Sequence, residues 1–103
     1  MKSRTPTKDE KTHMQNVREL GCIACIVADY AEPYSTPAEY VAVHHIDGKT
    51  KAGAHMLTIG LCPEHHQHGS HRIHGQRKLF IEKFGTEEEL LELAVNMYAN
   101  DQD

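Results

Sequence analysis

Apolar residues recur at helical spacing near the start of the chain. They are Met14, Val17 and Leu20. This spacing places them on one face of an α-helix. Thr7 with Glu10 is the signature of a capping box, in which each side chain accepts a hydrogen bond from a backbone amide, and Gly21 is a favoured stop signal. The pattern predicts a helix over residues 8–20.

Two short β-branched runs occupy the middle of the chain. The run "YVAVHHI" predicts a strand over residues 40–46, which ends at the turn residues Asp47 and Gly48. The run "MLTIGL" predicts a second strand over residues 56–61. Residues 28–39 contain two prolines and show no periodicity, so we expect a loop before the first strand.

Helical spacing returns in the last third of the chain. The pattern predicts one helix over residues 76–84 and a stop at Gly85. Thr86 with Glu89 repeats the capping box and opens a last helix, which runs to about residue 99 and has a wide apolar face. That face either caps the core alone or also contributes to a homodimer.

Helices at both ends with two strands between them indicate an α+β fold. We expect one domain over residues 1–103. Its parts are a disordered segment 1–6, an N-terminal helical segment 7–21, a core 22–84 and a C-terminal helical segment 86–100. A chain of this size buries only about two-thirds of its unfolded surface. A structural metal is therefore expected to contribute much of the stability.

Cysteine usage indicates the compartment. The three cysteines cannot form a complete disulfide set, and the first residues lack the apolar run of a secretory signal. These features predict a reducing, cytoplasmic location, where Cys-x-x-Cys indicates metal or redox chemistry. No apolar stretch approaches the roughly 20 residues that span a bilayer, so we expect no membrane association.

Two short pairs of zinc-type ligands use every cysteine of the chain. Cys22-x-x-Cys25 lies in "GCIACI", which predicts a tight turn, and Cys62-x-x-His65 follows the second predicted strand. Zinc prefers four such ligands in a tetrahedron, supplied as two close pairs. The spacing therefore predicts a structural Cys3His zinc site. The alternative is that Cys22 and Cys25 form a redox pair or are simply buried.

Histidines outside that site form a second cluster along the sequence. They are His44, His45, His66, His68, His71 and His74. Any one of them alone would more often be a surface or core residue. As a group, they favour a metal and proton-transfer site, in which one imidazole holds a metal while a neighbour accepts a proton near neutral pH.

Charge is unevenly distributed. The formal net charge is −4, but residues 44–83 carry six bases against three acids, and the residues after Thr86 carry six acids and no Lys or Arg. A polyanion could therefore bind the middle of the chain while the acidic end faces away.

Five motifs in order, Cys-x-x-Cys, "VHHIDG", "LCPEHH", "IHG" and "RKLFIEKFGT", resemble those of HNH endonucleases, also called ββα-metal or His-Me finger enzymes. The similarity covers residues 22–89 and is strongest to the phage recombination-enhancement, or RecA-dependent, nucleases. It implies a small ββα-metal domain with a zinc knuckle and flanking helices. It also implies a DNA endonuclease that uses a structural zinc and a catalytic Mg, Mn or Zn ion.

The resemblance assigns roles by position. His44 falls on a ligand of the catalytic metal and His45 on the general base. The remaining ligands fall on His66 and His74, although His68 or His71 could replace His66. Arg72, between these positions, is expected to clamp the phosphate. The expected contacts to the DNA backbone are Lys49, Lys51, Arg72, Arg77 and Lys78.

A second reading is a zinc module that binds nucleic acid or protein without cutting it. It explains the four zinc-type ligands equally well but gives no role to the remaining histidines as a set. Under the nuclease reading, the expected partners are DNA and a recombinase filament. The expected compartment is the host cytoplasm if the chain is phage-encoded.

Overall fold

Four α-helices and a two-stranded sheet form the computed structural model, which describes residues 5–28, 40–46, 48 and 53–101. The elements are α1 Lys8–Leu20, α2 Ile23–Val27, β1 Ala42–His45, β2 Thr58–Leu61, α3 Arg77–Phe84 and α4 Glu87–Asp101. A 3-10 turn, Ala54–Met56, precedes β2, and a π-helical turn, Glu64–His68, follows it. The predicted α+β class is confirmed.

Helix α1 has the predicted bounds because its start signal is local. The Thr7 hydroxyl accepts from the Glu10 amide at 3.2 Å, and the Glu10 carboxylate accepts from the Thr7 amide at 2.8 Å. The buried His13 joins the helix to the rest of the fold: Nδ1 lies 2.8 Å from the Tyr98 hydroxyl and Nε2 3.1 Å from the Thr58 carbonyl oxygen. Strand β2 and helix α4 are thus both tied to α1.

The two strands are shorter than predicted. They pair antiparallel with Ala42 opposite Leu61 and His45 opposite Thr58. Met56 and Leu57 lie outside β2 because a turn begins at Gly53, with φ 77°, and takes up Met56. Tyr40, Val41 and Ile46 lie outside β1. One further hydrogen bond, from the Ile46 amide to the Leu57 carbonyl, extends the pairing at 2.9 Å.

Strand β2 is buried at all four positions and lies directly against the end of α1. A Cβ added to Gly60 would lie 2.7 Å from the carbonyl oxygens of both Val17 and Gly21. Only glycine permits so close an approach. It brings the start of α2, and with it Cys22, beside the end of β2.

The remaining elements differ from prediction in detail. The predicted tight turn after Cys22 is the first turn of the five-residue α2, whose β-branched composition gave no helical signal. Helices α3 and α4 begin and end within two residues of their predicted bounds, and the second capping box is present. Ala28, the first residue of the predicted loop 28–39, follows the end of α2. The rest of that loop, the turn residue Asp47 and most of segment 1–6 lie outside the described residues. Within the described ranges, no helix is long and apolar enough to cross a bilayer.

Candidate metal centres

Three thiols and an imidazole converge where the end of β2 meets the start of α2. The group is Cys22, Cys25, Cys62 and His65, and its ligand atoms all lie within 4.8 Å of one another. His65 Nδ1 is 3.5, 3.4 and 3.2 Å from the three sulfur atoms in that order. The Sγ atoms of Cys25 and Cys62 are 3.9 Å apart, and all three cysteines are free thiols.

These separations fit one tetrahedral ion. Bonds of about 2.3 Å to sulfur and about 2.0 Å to nitrogen hold neighbouring ligands roughly 3.5 to 3.8 Å apart. The Cys3His group can therefore hold a metal ion. A hydrogen bond with Cys22, together with burial, raises the pKa of the Cys62 thiol to about 11. Contact with Cys25 likewise raises the pKa of Cys22. A bound cation must displace these protons.

Local backbone structure places the four ligands. Cys22 caps the N-terminus of α2, and its Sγ accepts from the Cys25 amide at 3.5 Å, so one helical turn puts both thiols on the same side. After β2, the Cys62 carbonyl oxygen accepts from the amides of both His65 and His66, at 3.1 and 2.9 Å. The π-helical turn thus begins at the metal group, a location typical of functional sites for such turns.

A second group of possible metal ligands includes His66, the residue that directly follows His65. His44 on β1 meets His66 and His74, with the three ligand atoms within 4.8 Å of one another. The Nε2 atoms of His66 and His74 are 3.0 Å apart, and the His44 ring centre lies 5.4 and 5.1 Å from theirs. His44 is buried, His66 is half-buried and His74 is exposed. The group therefore opens to solvent on one side.

A backbone fold-back brings His74 to His66. The His74 amide donates to the His66 carbonyl at 3.2 Å, and the Ile73 amide donates to the His65 carbonyl at 2.8 Å. Gly69 permits this return, because an added Cβ there would lie 2.6 Å from the Glu64 carbonyl oxygen. The same short segment therefore serves both metal groups.

The electrostatics of the second group suit a cation. Burial, with added repulsion from His74, His44 and His68, lowers the pKa of His66 to about 4. The His66 imidazole is consequently neutral at pH 7 and keeps a lone pair available. Imidazole nitrogens are good ligands for zinc and related divalent ions. The three residues present thus fit a bound divalent metal.

A family model described as recombination enhancement, RecA-dependent nuclease, matches residues 6–99 of the 103-residue chain. The chain belongs to the RecA-dependent nuclease family. The resemblance found in the sequence is confirmed at the level of this family, which supports a nuclease role in recombination. Both groups of metal ligands fall within the matched residues.

In this RecA-dependent nuclease, His44 has a partner that the sequence did not predict. The Oε2 atom of Glu87 lies 2.6 Å from His44 Nε2, although the two residues are 43 positions apart. The other carboxylate oxygen of Glu87 forms an ion pair with Arg77. The first residue of α4 thereby meets the second metal group, and the first residue of α3 pairs with it from the other side.

The predicted general base also has an unpredicted neighbour. His45 Nε2 lies 2.9 Å from Nδ1 of His55, a buried residue in the 3-10 turn, and the two rings meet edge to face. Successive side chains on a strand point to opposite faces, so His44 and His45 meet different surroundings. His55 could not be singled out from sequence because it belongs to no motif.

The other predicted site residues lie outside the two groups. The His71 ring is against Phe84, with Nδ1 3.0 Å from the Ser70 hydroxyl, and His68 is exposed. Arg72 is half-buried and donates to the Gly69 carbonyl at 3.1 Å, where it braces the loop before His74. Arg77 and Lys78 are exposed at the start of α3. Lys49 and Lys51 lie outside the described residues.

Proposed function

We propose that this protein is an HNH-type DNA endonuclease that hydrolyses phosphodiester bonds with His45 as general base. A single catalytic divalent ion, Mg, Mn or Zn, would be held by His44, His66 and His74. A structural zinc would be held by the Cys3His group. The proposal treats residues 1–103 as one nuclease domain.

The convergence of three imidazoles from two separate segments carries the proposal. His44 is on β1, whereas His66 and His74 follow β2, and yet their ligand atoms lie within 4.8 Å of one another. Three protein ligands with one exposed side are typical of a catalytic site, because they leave coordination positions for water and substrate. Membership in a nuclease family makes phosphodiester hydrolysis the matching chemistry.

The hydrolysis needs a proton acceptor beside the scissile phosphate. When bound, the divalent ion would stabilise negative charge on the phosphate and on the leaving 3′ oxygen. His45 would remove the proton from the attacking water as the new phosphorus–oxygen bond forms and the bond to the 3′ oxygen breaks. The 3′ oxygen would take a proton from solvent and leave as a hydroxyl. An ordinary imidazole titrates near neutral pH and suits this role. The contact with His55 would hold the His45 ring in orientation.

Zinc is the ion we propose for the Cys3His group. Thiolates combined with one imidazole in a tetrahedron are typical of structural zinc, and four protein ligands leave no coordination position for substrate. Bound there, zinc would tie the start of α2 to the end of β2. Because a domain of this size has a modest core, this cross-link would be a large part of its stability.

The proposed substrate is DNA, and a recombinase filament is the proposed partner. The basic residues that would contact the phosphate backbone are Lys49, Lys51, Arg72, Arg77 and Lys78. Arg72 would also clamp the scissile phosphate, which requires its remaining guanidinium donors to face the second metal group. We further propose action in phage recombination in the host cytoplasm. A homodimer would allow two single-strand cuts to produce a double-strand break.

A plasmid-nicking assay tests the proposal. The zinc-loaded protein would be mixed with supercoiled plasmid and with filament-coated DNA, and Mg, Mn and Zn would be added in turn. We expect cleavage with at least one metal. His45→Ala should lower the rate by about 10²- to 10⁴-fold while metal binding is retained, because general-base catalysis has that magnitude. His68→Ala, which changes an exposed histidine of the same region, is the matched control.

Two outcomes would overturn the proposal in different ways. If His45→Ala cleaves at the parent rate, His45 is not the base. If the parent cleaves neither substrate with any of the three metals, the nuclease assignment fails, and the chain is better described as a zinc module that binds without cutting.

A further inference from the structure

Glu87 is a buried acid held from two sides. Its side chain is 0% exposed, with Oε2 2.6 Å from His44 Nε2 and Oε1 paired with Arg77. A buried carboxylate without partners is strongly destabilising, because its lost hydration is not replaced. Its position at the first residue of α4 also places it where the helix dipole favours negative charge. Packing, pairing and helix end therefore all fix this carboxylate against His44.

We propose that Glu87 is a positioning residue that fixes His44 in the tautomer with its proton on Nε2, so that Nδ1 is presented to the catalytic cation. The inference rests on the proposed function, since it takes His44 as a ligand of that cation. A neutral imidazole carries one proton, on either ring nitrogen. A carboxylate can only accept, so it selects the tautomer whose Nε2 donates. The lone pair is then on Nδ1.

Arg77 supports this arrangement from the surface. Its side chain is 57% exposed, whereas that of Glu87 is fully buried. By holding Oε1, Arg77 leaves Oε2 to face His44 and prevents the carboxylate from turning away. The chain Arg77, Glu87, His44 thus runs from solvent to the second metal group through α3, α4 and β1. Carboxylates placed behind metal-binding histidines orient the ring and increase its basicity.

The first test reads the tautomer directly. Long-range ¹H–¹⁵N spectra of zinc-loaded protein labelled in histidine, without a second cation, distinguish protonated from unprotonated ring nitrogens. We expect a protonated Nε2 for His44 in the parent and a mixture of tautomers in Glu87→Ala. Glu87→Gln should keep the parental tautomer, because the amide oxygen can still accept. An unchanged tautomer in Glu87→Ala, or Nδ1 protonation in the parent, overturns the inference.

The second test measures cation affinity without relying on cleavage. Mn²⁺ is titrated calorimetrically into zinc-loaded protein. Glu87→Ala should weaken binding by about 10- to 100-fold, the usual effect of removing such a partner, and Glu87→Gln should weaken it less. Glu88→Ala is the matched control, because it removes an exposed acid from the same helical turn. In a His44→Ala background, Glu87→Ala should have no further effect.

The outcomes separate this inference from the proposed function. If the parent binds neither Mn²⁺ nor, in the same titration, Mg²⁺ or a second Zn²⁺, the cation site of the proposed function fails, and the role of Glu87 fails with it. If the parent binds Mn²⁺ and Glu87→Ala binds it equally well, only the role of Glu87 fails. Glu87→Ala and Glu87→Gln could instead lower the Mn²⁺ affinity equally, and do so in the His44→Ala background as well. Glu87 would then be a direct ligand, which overturns the positioning role. If Glu87→Ala does not fold, the tautomer of His44 in the parent decides the question, because a proton on Nδ1 overturns the inference without any variant.

Discussion

The two metal groups of this nuclease use adjacent residues, His65 and His66, but differ in chemistry and exposure. The Cys3His group offers four ligands, of which three are buried and one is half-buried, whereas the three-histidine group ranges from buried to exposed. A closed set of four ligands suits a structural ion, and an open set of three suits catalysis. Under the proposed function, the segment that contains His65 and His66 would contribute to stability through one group and to catalysis through the other.

The largest expected effect comes from breaking the closed group. Cys62→Ser should remove most of the metal-dependent stability, because metal binding in small zinc domains contributes about 10 to 16 kcal/mol to folding. Thermal unfolding followed by circular dichroism, with and without chelator, measures it. His74→Ala, which removes a ligand from the open group, should melt close to the parent. A Cys62→Ser protein that also melts like the parent would exclude a stabilising metal there.

Breaking the open group should affect activity and leave the fold intact. His74→Ala removes a proposed direct ligand, so we expect nicking to fall by more than about 100-fold, beyond the usual loss from an outer-sphere partner. His71→Ala changes a histidine outside the group and should cleave normally. If the two variants exchange these behaviours, His71 is the ligand and His74 is not.

Proton release should distinguish the two groups further. The raised pKa values of Cys22 and Cys62 mean that both thiols hold protons at pH 7, so loading the closed group should release about two protons or more. The pKa of His66 is lowered to about 4, so this imidazole has no proton to release. Calorimetry in buffers of different ionisation enthalpy counts the protons. The metal affinity should therefore rise more steeply with pH at the closed group than at the open group. An equal pH dependence at both groups would contradict the prediction that the closed group releases more protons.

A smaller effect is expected at His13, which contacts neither metal group. Burial lowers its pKa, so the unfolded chain binds more protons below about pH 6.5 and stability falls as the pH decreases. His13→Gln should reduce this loss of stability at low pH. It should also lower the free energy of unfolding at pH 7 by about 1 kcal/mol, the value of a typical hydrogen bond. Urea unfolding of zinc-saturated protein between pH 5.5 and 7.5 measures both. If the free energy of unfolding changes with pH equally in parent and variant, His13 is not the source of the pH dependence.

Local signals in the sequence predicted the fold well. Capping boxes and cysteine spacings involve residues within four positions of one another, so α1, α4 and the two ligand pairs could be read directly. The start of β2 could not be predicted in this way because it depends on the turn at Gly53. Helix α2 could not be predicted because it depends on packing against β2. Glu87 and His55 were missed for a related reason. Each meets its histidine only through the tertiary fold, at sequence separations of 43 and 10 positions.

The succession of His65 and His66 has a mechanical consequence. Their Cα atoms are separated by one peptide unit, about 3.8 Å, while their rings belong to different metal groups. We therefore expect a change in ionic radius at the first group to shift the ligands of the second. If the proposed function holds, exchanging the ion of the first group for a larger one should change the cleavage rate without substitution of any ligand in the second group.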